Sequence, residues 1–254
     1  MAGAAVATVS AQLVVMLVMM VGVFRSKKEE NVLKGIRLFE PFSKEELGNI
    51  CKIGGPTAIQ GMVYCMISMV LTRMVAAFGA EAIATQRVGG QIESVSWNTA
   101  DGFAAALNAF VGQNYGAKKM DRVQKGYRIS FWTVAIWGAL IMLAFIIFPG
   151  PIAGVFFHEE KAMEIAISYL IIIGFSEAFM CVELMTIGAL SGLGKTKLCS
   201  VISITATSMR IPLAMVLSRT SLGLDGIWWA LTLTSVAKGI IFYLTFRYQM
   251  HEKC

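Results

Sequence analysis

The sequence predicts an all-α integral membrane protein of seven transmembrane helices, and three observations carry that expectation. Hydrophobic residues make up 56% of the chain, charged residues only 15%, and the mean hydropathy is +0.67. A water-soluble domain of that composition would expose too much apolar surface. Uncharged stretches long enough to cross a bilayer run from Met1 to Phe24, Ile53 to Thr72 and Ile129 to His158. None of these runs alternates with the two-residue period of a barrel strand, so helices are left to satisfy the backbone in lipid.

The spans fall at 2–24, 50–76, 83–112, 128–150, 163–189, 197–218 and 225–246. Each is near or above the ~20 residues that cover a ~30 Å hydrocarbon core. The first is uncharged up to Arg25. After it, a charged segment from Arg25 to Lys52 carries Val32, Leu33, Ile36, Leu38 and Phe39, which predict a short interfacial helix. The second span opens on Gly54-Gly55-Pro56, the fourth ends on Pro149-Gly150-Pro151, and the sixth contains Pro212 two residues after Arg210. Each breaker marks a bend or hinge candidate, with helix termination the expected role of the paired prolines. The third, fifth and seventh spans are interrupted by ionisable residues.

The loops set the orientation. Segments 25–52, 113–128, 190–197 and the tail from Arg247 hold 16 Lys and Arg, against Lys161 and Arg219 on the other side. The basic side is therefore expected in the cytosol, and the C-terminus with it. Seven spans then put the start of the chain outside. Met1 leads directly into an apolar helix with no basic region and no cleavage site, so a secretory signal peptide is not expected. Such a start fits the absence of an odd number of earlier spans, the alternative being a first helix inserted N-out. The net charge of +6 sits in these loops, where anionic lipid headgroups explain it and nucleic acid does not. Cys51, Cys65, Cys181, Cys199 and Cys254 form no CxxC pair, and His158 and His251 are far apart, so neither disulfides nor a metal site is expected. Cys254 lacks the prenylation context.

Eight ionisable side chains lie within the spans: Arg73, Arg87, Glu93, Asp101, Glu177, Glu183, Arg210 and Lys238. A charge near the bilayer centre costs about 2.5–3.5 kcal/mol, so each needs a partner or a wet cavity. On a helical wheel Glu93, Ser94, Trp97, Asn98, Asp101 and Asn108 share an arc of about 140°. Ile92, Val95, Phe103 and Phe110 lie opposite, so the polar arc is expected inside the bundle and the apolar one in lipid. Shielded carboxylates there would take up and release protons, or coordinate sodium with Asn98 or Ser94 oxygens. The other reading is structural glue, with Arg87, Arg210 or Lys238 neutralising them. Glu177 and Glu183 share an arc of about 120° with Ser176, Met180 and Ile187 on the fifth span. Sixteen Met and 15 Phe suit a greasy pocket, although membrane core explains any one of them. Trp97 is placed to stack on an organic cation, with packing as its other role.

Ala189-Leu190-Ser191-Gly192-Leu193-Gly194-Lys195-Thr196 matches a relaxed phosphate-loop pattern, but a membrane helix precedes it where a strand is required, so nucleotide binding is not expected. Close helix approach explains its glycines better.

Two segments carry a family resemblance. The first runs from Gly102 to Lys118 and includes Gly112, Gln113 and Gly116; the second runs from Gly188 to Lys197 and includes Gly192 and Gly194. With Gly3-Ala4-Ala5-Val6-Ala7-Thr8, Ile53-Gly54-Gly55-Pro56, Gln91-Ile92-Glu93-Ser94, Arg210-Ile211-Pro212-Leu213 and Gly223-Leu224-Asp225-Gly226-Ile227-Trp228-Trp229, the chain resembles the C-terminal half of the MATE (multidrug and toxic compound extrusion) antiporters. Such proteins have twelve helices in two lobes and exchange sodium or protons for organic cations by alternating access. The resemblance implies that 1–24 is the last helix of the N-terminal lobe, 25–52 a cytosolic interlobe linker and 53–254 the C-terminal six-helix lobe. It implies a multi-pass plasma-membrane protein that is not an enzyme and has no cofactor. Its partners would be the bilayer, organic cations and an N-terminal lobe absent from this sequence.

The resemblance also implies limits. Some members carry a cation-site Glu in the helix matching the second span, where Tyr64 stands here, and another acid near Met180, here flanked by Glu177 and Glu183. The sodium site of that branch is therefore not carried over. Where coupling resides in the other lobe, Glu93, Asp101 and Glu183 only shape the substrate. Two further readings are a lipid-linked oligosaccharide flippase of the same superfamily, which expects a cavity rich in Arg and Lys, and a non-transporting half-lobe scaffold.

Overall fold

The computed structural model describes residues 2–25 and 43–251. The interfacial helix expected over Val32–Phe39 and the terminal Cys254 lie outside the described residues. The chain divides into two units, Met1–Gly48 and Asn49–Cys254.

In the first unit α1 (Ala2–Arg25) is an uncharged helix up to its last residue, with large apolar side chains exposed along its length. Ser43 and Glu46 form a reciprocal cap at the start of α2 (Lys44–Ala76). The Ser43 amide and hydroxyl both donate to the Glu46 carboxylate, and the Glu46 amide donates back to the Ser43 hydroxyl.

The second unit continues through α2 and adds α3 (Ala80–Gly116), α4 (Met120–Ile147) and the short α5 (Pro149–Gly154). It then runs through α6 (Glu160–Gly174), α7 (Glu177–Gly192), α8 (Thr196–Ser208), α9 (Arg210–Leu217) and α10 (Leu224–His251). No strand occurs among the described residues. Among the described residues, five stretches are long and apolar enough to cross a membrane: Ala5–Arg25, Lys44–Ala76, Met120–Ile147, Thr196–Leu217 and Leu224–Met250. The pair α6–α7 makes a sixth when taken as one span bent by 50°. The expected seventh is α3. It has 37 residues, but Ser94, Asn98, Thr99, Asp101 and Asn108 make it too polar to pass on composition.

The breaks fall partly where the sequence does not announce them. Pro56 sits inside the unbroken α2, and Pro149 only starts α5. Pro212 has no N–H for the Ser208 carbonyl, and the chain is interrupted at Met209, between α8 and α9. The 50° bend between α6 and α7 is at Phe175-Ser176, where no proline stands. There the Ser176 amide and hydroxyl both donate to the Ile173 carbonyl at 2.9 Å, and the Thr232 hydroxyl of α10 donates to the Ile172 carbonyl at 2.8 Å. The carbonyls freed by the bend are thus satisfied away from water.

The core is centred on α7, where Cys181, Met185, Ala189 and Leu190 are fully buried against α3, α4, α8 and α10. Its closest neighbour is α3, and the crossing is made of small residues. A Cβ on Gly188 would overlap the Ala104 carbonyl, and one on Gly192 would stand 2.6 Å from the Asn108 oxygen. Close approach of this kind lets dispersion and backbone dipoles hold helices together where lipid supplies no hydrophobic drive. The two motif segments end in the same turn. After α3 the amides of Ala117, Lys118 and Lys119 donate to Gln113, Tyr115 and Asn114; after α7 those of Leu193, Gly194 and Lys195 donate to Ala189, Ser191 and Leu190. The left-handed residue is Lys118 in the first (φ 57°) and Gly194 in the second (φ 76°). The phosphate-loop look-alike is therefore a helix end.

Candidate functional site

A largely apolar cavity of about 500 Å³ opens within the second unit between α2, α3, the α6–α7 pair, α8–α9 and α10. Its apolar wall includes Ile67, Leu71, Ile173, Met180, Leu184 and Leu231, and its polar groups include Tyr64, Glu93, Glu183, Arg210 and Lys238. Among the described side chains of α2 only Ile67, Leu71 and Val75, in the C-terminal half, are buried, so that helix is a lightly packed side of the site.

Glu93 sits on the half-buried shoulder of α3 and accepts a short hydrogen bond from the Tyr169 hydroxyl of α6. Gly89, one turn before Glu93, makes this possible: a Cβ there would run into the Tyr169 ring. Trp228 holds the same ring edge-to-face at 5.0 Å. Arg210 lies within electrostatic reach of Glu93. Glu183 is buried and ion-paired with Lys238 at 2.7 Å. Arg210 is likewise buried, but its partners are neutral: Nε donates to the Thr234 hydroxyl at 3.0 Å and an Nη to the Ser235 hydroxyl at 2.8 Å.

Of the seven predicted binding residues, the cavity brings together Tyr64, Glu93, Met180 and Glu183. Glu177 is completely buried outside it, in the first turn of α7, with neither carboxylate oxygen in a hydrogen bond of good geometry. The Ser96 hydroxyl is beside it. Asn98 and Asp101 are exposed on the surface of the unit. The expectation that the whole polar arc of α3 faces the bundle interior is therefore corrected. The buried stripe is Gly89, Ser96, Ala100, Ala104, Leu107 and Val111, and the polar arc lies beside it. Small size, which admits α7, chose the buried face. The lipid-facing arc shifts too, since Phe110 packs on the core while Val95 stays exposed.

Sequence reasoning missed Tyr169 and the hydroxyls Ser203, Thr207, Thr234 and Ser235. A lone tyrosine in the apolar run 165–174 was a usable signal, because a buried phenol needs a partner. The hydroxyls carry no comparable signal, since Ser and Thr are ordinary in apolar helices. Among the described residues no group of three or more His, Cys, Asp and Glu is placed to hold a metal ion.

A bundle of long apolar helices with a broken span beside a cavity is an arrangement that secondary transporters use. The MatE family profile matches residues 56–216, and the chain belongs to the MATE family. It is 30% identical over 232 residues to a Thermotoga maritima protein named "Probable multidrug resistance protein NorM", covering 89% of this chain and 48% of that one. To the Bacillus subtilis protein named "Probable multidrug resistance protein YoeA" it is 27% identical, covering 89% and 49%. The chain spans about half the length of the curated relatives it matches. In fold it is similar to the Vibrio cholerae MATE transporter VcmN in the bent form, with a TM-score of 0.76 at 20% identity, covering 85% of this chain and 50% of that chain. A MOP superfamily transporter from Pyrococcus furiosus gives 0.77 at 21% identity, covering 86% and 50%.

Proposed function

We propose that this chain supplies the C-terminal lobe of a cation-coupled antiporter that exports lipophilic organic cations, with the cavity around Glu93 as the cargo site. In this reading 53–254 is the lobe, 25–52 the cytosolic linker and 1–24 the last helix of the preceding lobe. The protein is multi-pass in the cell membrane with its C-terminus in the cytosol. The observation that carries it is Glu93: a carboxylate without an ion-pair partner within 4 Å among the described residues, on the wall of a largely apolar cavity. Such a group offers a cationic cargo or a coupling ion its counter-charge, and Tyr169 keeps it oriented. Met180 and the aliphatic wall accept varied shapes. The names of the curated relatives favour drug efflux over the flippase reading.

The test is binding of ethidium to the purified chain in detergent. Glu93→Gln is expected to weaken it about tenfold, the scale of one lost charge-assisted contact. Equal affinity in both proteins would remove Glu93 from the site. Release of bound dye by sodium at fixed pH assigns sodium as the coupling ion, and release by acid without sodium assigns the proton. For the domain reading, translation of the DNA upstream of Met1 should yield five further apolar spans in frame. An in-frame stop next to a ribosome site would reverse it.

A further inference from the structure

We propose that the α8–α10 wall of the cavity is a receptor for an anionic group, so that the site takes amphoteric cargo: a cationic end at Glu93 and a carboxylate at Arg210. The inference rests on the reading of the cavity as a cargo site. Arg210 is 8% exposed and lines the cavity, yet it makes no ion pair within 4 Å among the described residues. A buried guanidinium has five N–H donors in a planar fork, and the hydroxyls of Thr234 and Ser235 take up only two. A carboxylate fits the remaining edge in bidentate fashion, which neutral hydroxyls cannot replace. The surroundings fit the same ligand. The Ser203 hydroxyl, one of the cavity's lining groups, is buried and has no hydrogen-bond partner, and Thr207 lines the cavity one turn further along α8. Lys238 adds a second cation on the same wall, already matched by Glu183. The wall therefore holds one buried positive charge more than its ion pairs neutralise. Glu93 lines the same cavity from α3, so a zwitterion would meet both charges.

A matched pair of dyes separates this from simple cation binding. Rhodamine B carries a free carboxylate, and its ethyl ester is the same cation without it. The purified chain should bind the zwitterion about tenfold more tightly than the ester, and Arg210→Gln should abolish that preference. Should Arg210→Gln fail to fold, benzoate added to the unaltered protein gives the same reading: it should displace rhodamine B and spare the ester. Equal affinity of the two dyes, a preference that survives Arg210→Gln, or benzoate displacing both dyes or neither overturns the anion receptor alone. Binding of neither dye overturns the cargo reading along with it.

Discussion

Charges buried among apolar helices persist only where something answers them, and the cavity wall uses two answers. At Glu183–Lys238 it is an opposite charge at 2.7 Å. At Arg210 it is a pair of hydroxyls, and the proton of the Thr234 hydroxyl is directed toward the Ala230 and Leu231 carbonyls. The difference predicts different mutational behaviour. Removing one member of the ion pair strands its partner, so Lys238→Met should cost about 3–5 kcal/mol. The double replacement Glu183→Leu with Lys238→Met should fall near neutral, since neither charge then has to leave water. Thermal unfolding of the purified variants in detergent reads both. A double mutant as unstable as the single would show that the pair is held by its surroundings rather than by itself. The carboxyl of Glu93 behaves otherwise, because its contact is a phenol that orients it without cancelling its charge.

At the scale of elements, the α3–α7 crossing sets the register of the bundle. Gly188 faces the Ala104 carbonyl with no room for a methyl group, whereas a Cβ on Gly102 of the same α3 would meet nothing within 4 Å. Gly188→Ala should therefore lower stability by about 1–3 kcal/mol through overpacking. Gly102→Ala should be neutral or raise it by up to about 1 kcal/mol through helix propensity. Comparing the two melting temperatures in one detergent checks this, and equal shifts would mean that the crossing tolerates separation. The bend between α6 and α7 depends on contacts of another kind, the Thr232 hydroxyl on the Ile172 carbonyl and the doubly bonded Ile173 carbonyl. The first of these joins residues 60 positions apart, which is why no local pattern around Phe175 announced the break.

For the molecule as a whole, the exposed flank of α3 is the feature that asks for a further partner. Asn98 and Asp101 lie near the middle of a 37-residue helix and open onto the surface of the second unit. In a bilayer a bare carboxylate there would cost about 2.5–3.5 kcal/mol, so water or protein is expected to cover it. With the exposed Cys51 and Cys65 replaced, Asn98→Cys should react with a membrane-impermeant maleimide in the membrane-inserted protein. Labelling only by a lipophilic maleimide would place this flank in the acyl chains and undo the expectation that water or protein covers it. The sequence by itself determined the all-helical class, the approximate span ends and the polar character of α3, because burial in lipid demands long apolar runs and punishes charge along any helix. It also marked Glu93, Glu183, Arg210 and Lys238 as residues needing an explanation. Only the tertiary structure decided which of them pair, that the small-residue stripe rather than the polar arc of α3 is buried, and that Tyr169 reaches Glu93. Those outcomes turn on contacts between distant segments and on the width of single side chains, neither of which leaves a periodic trace in the chain.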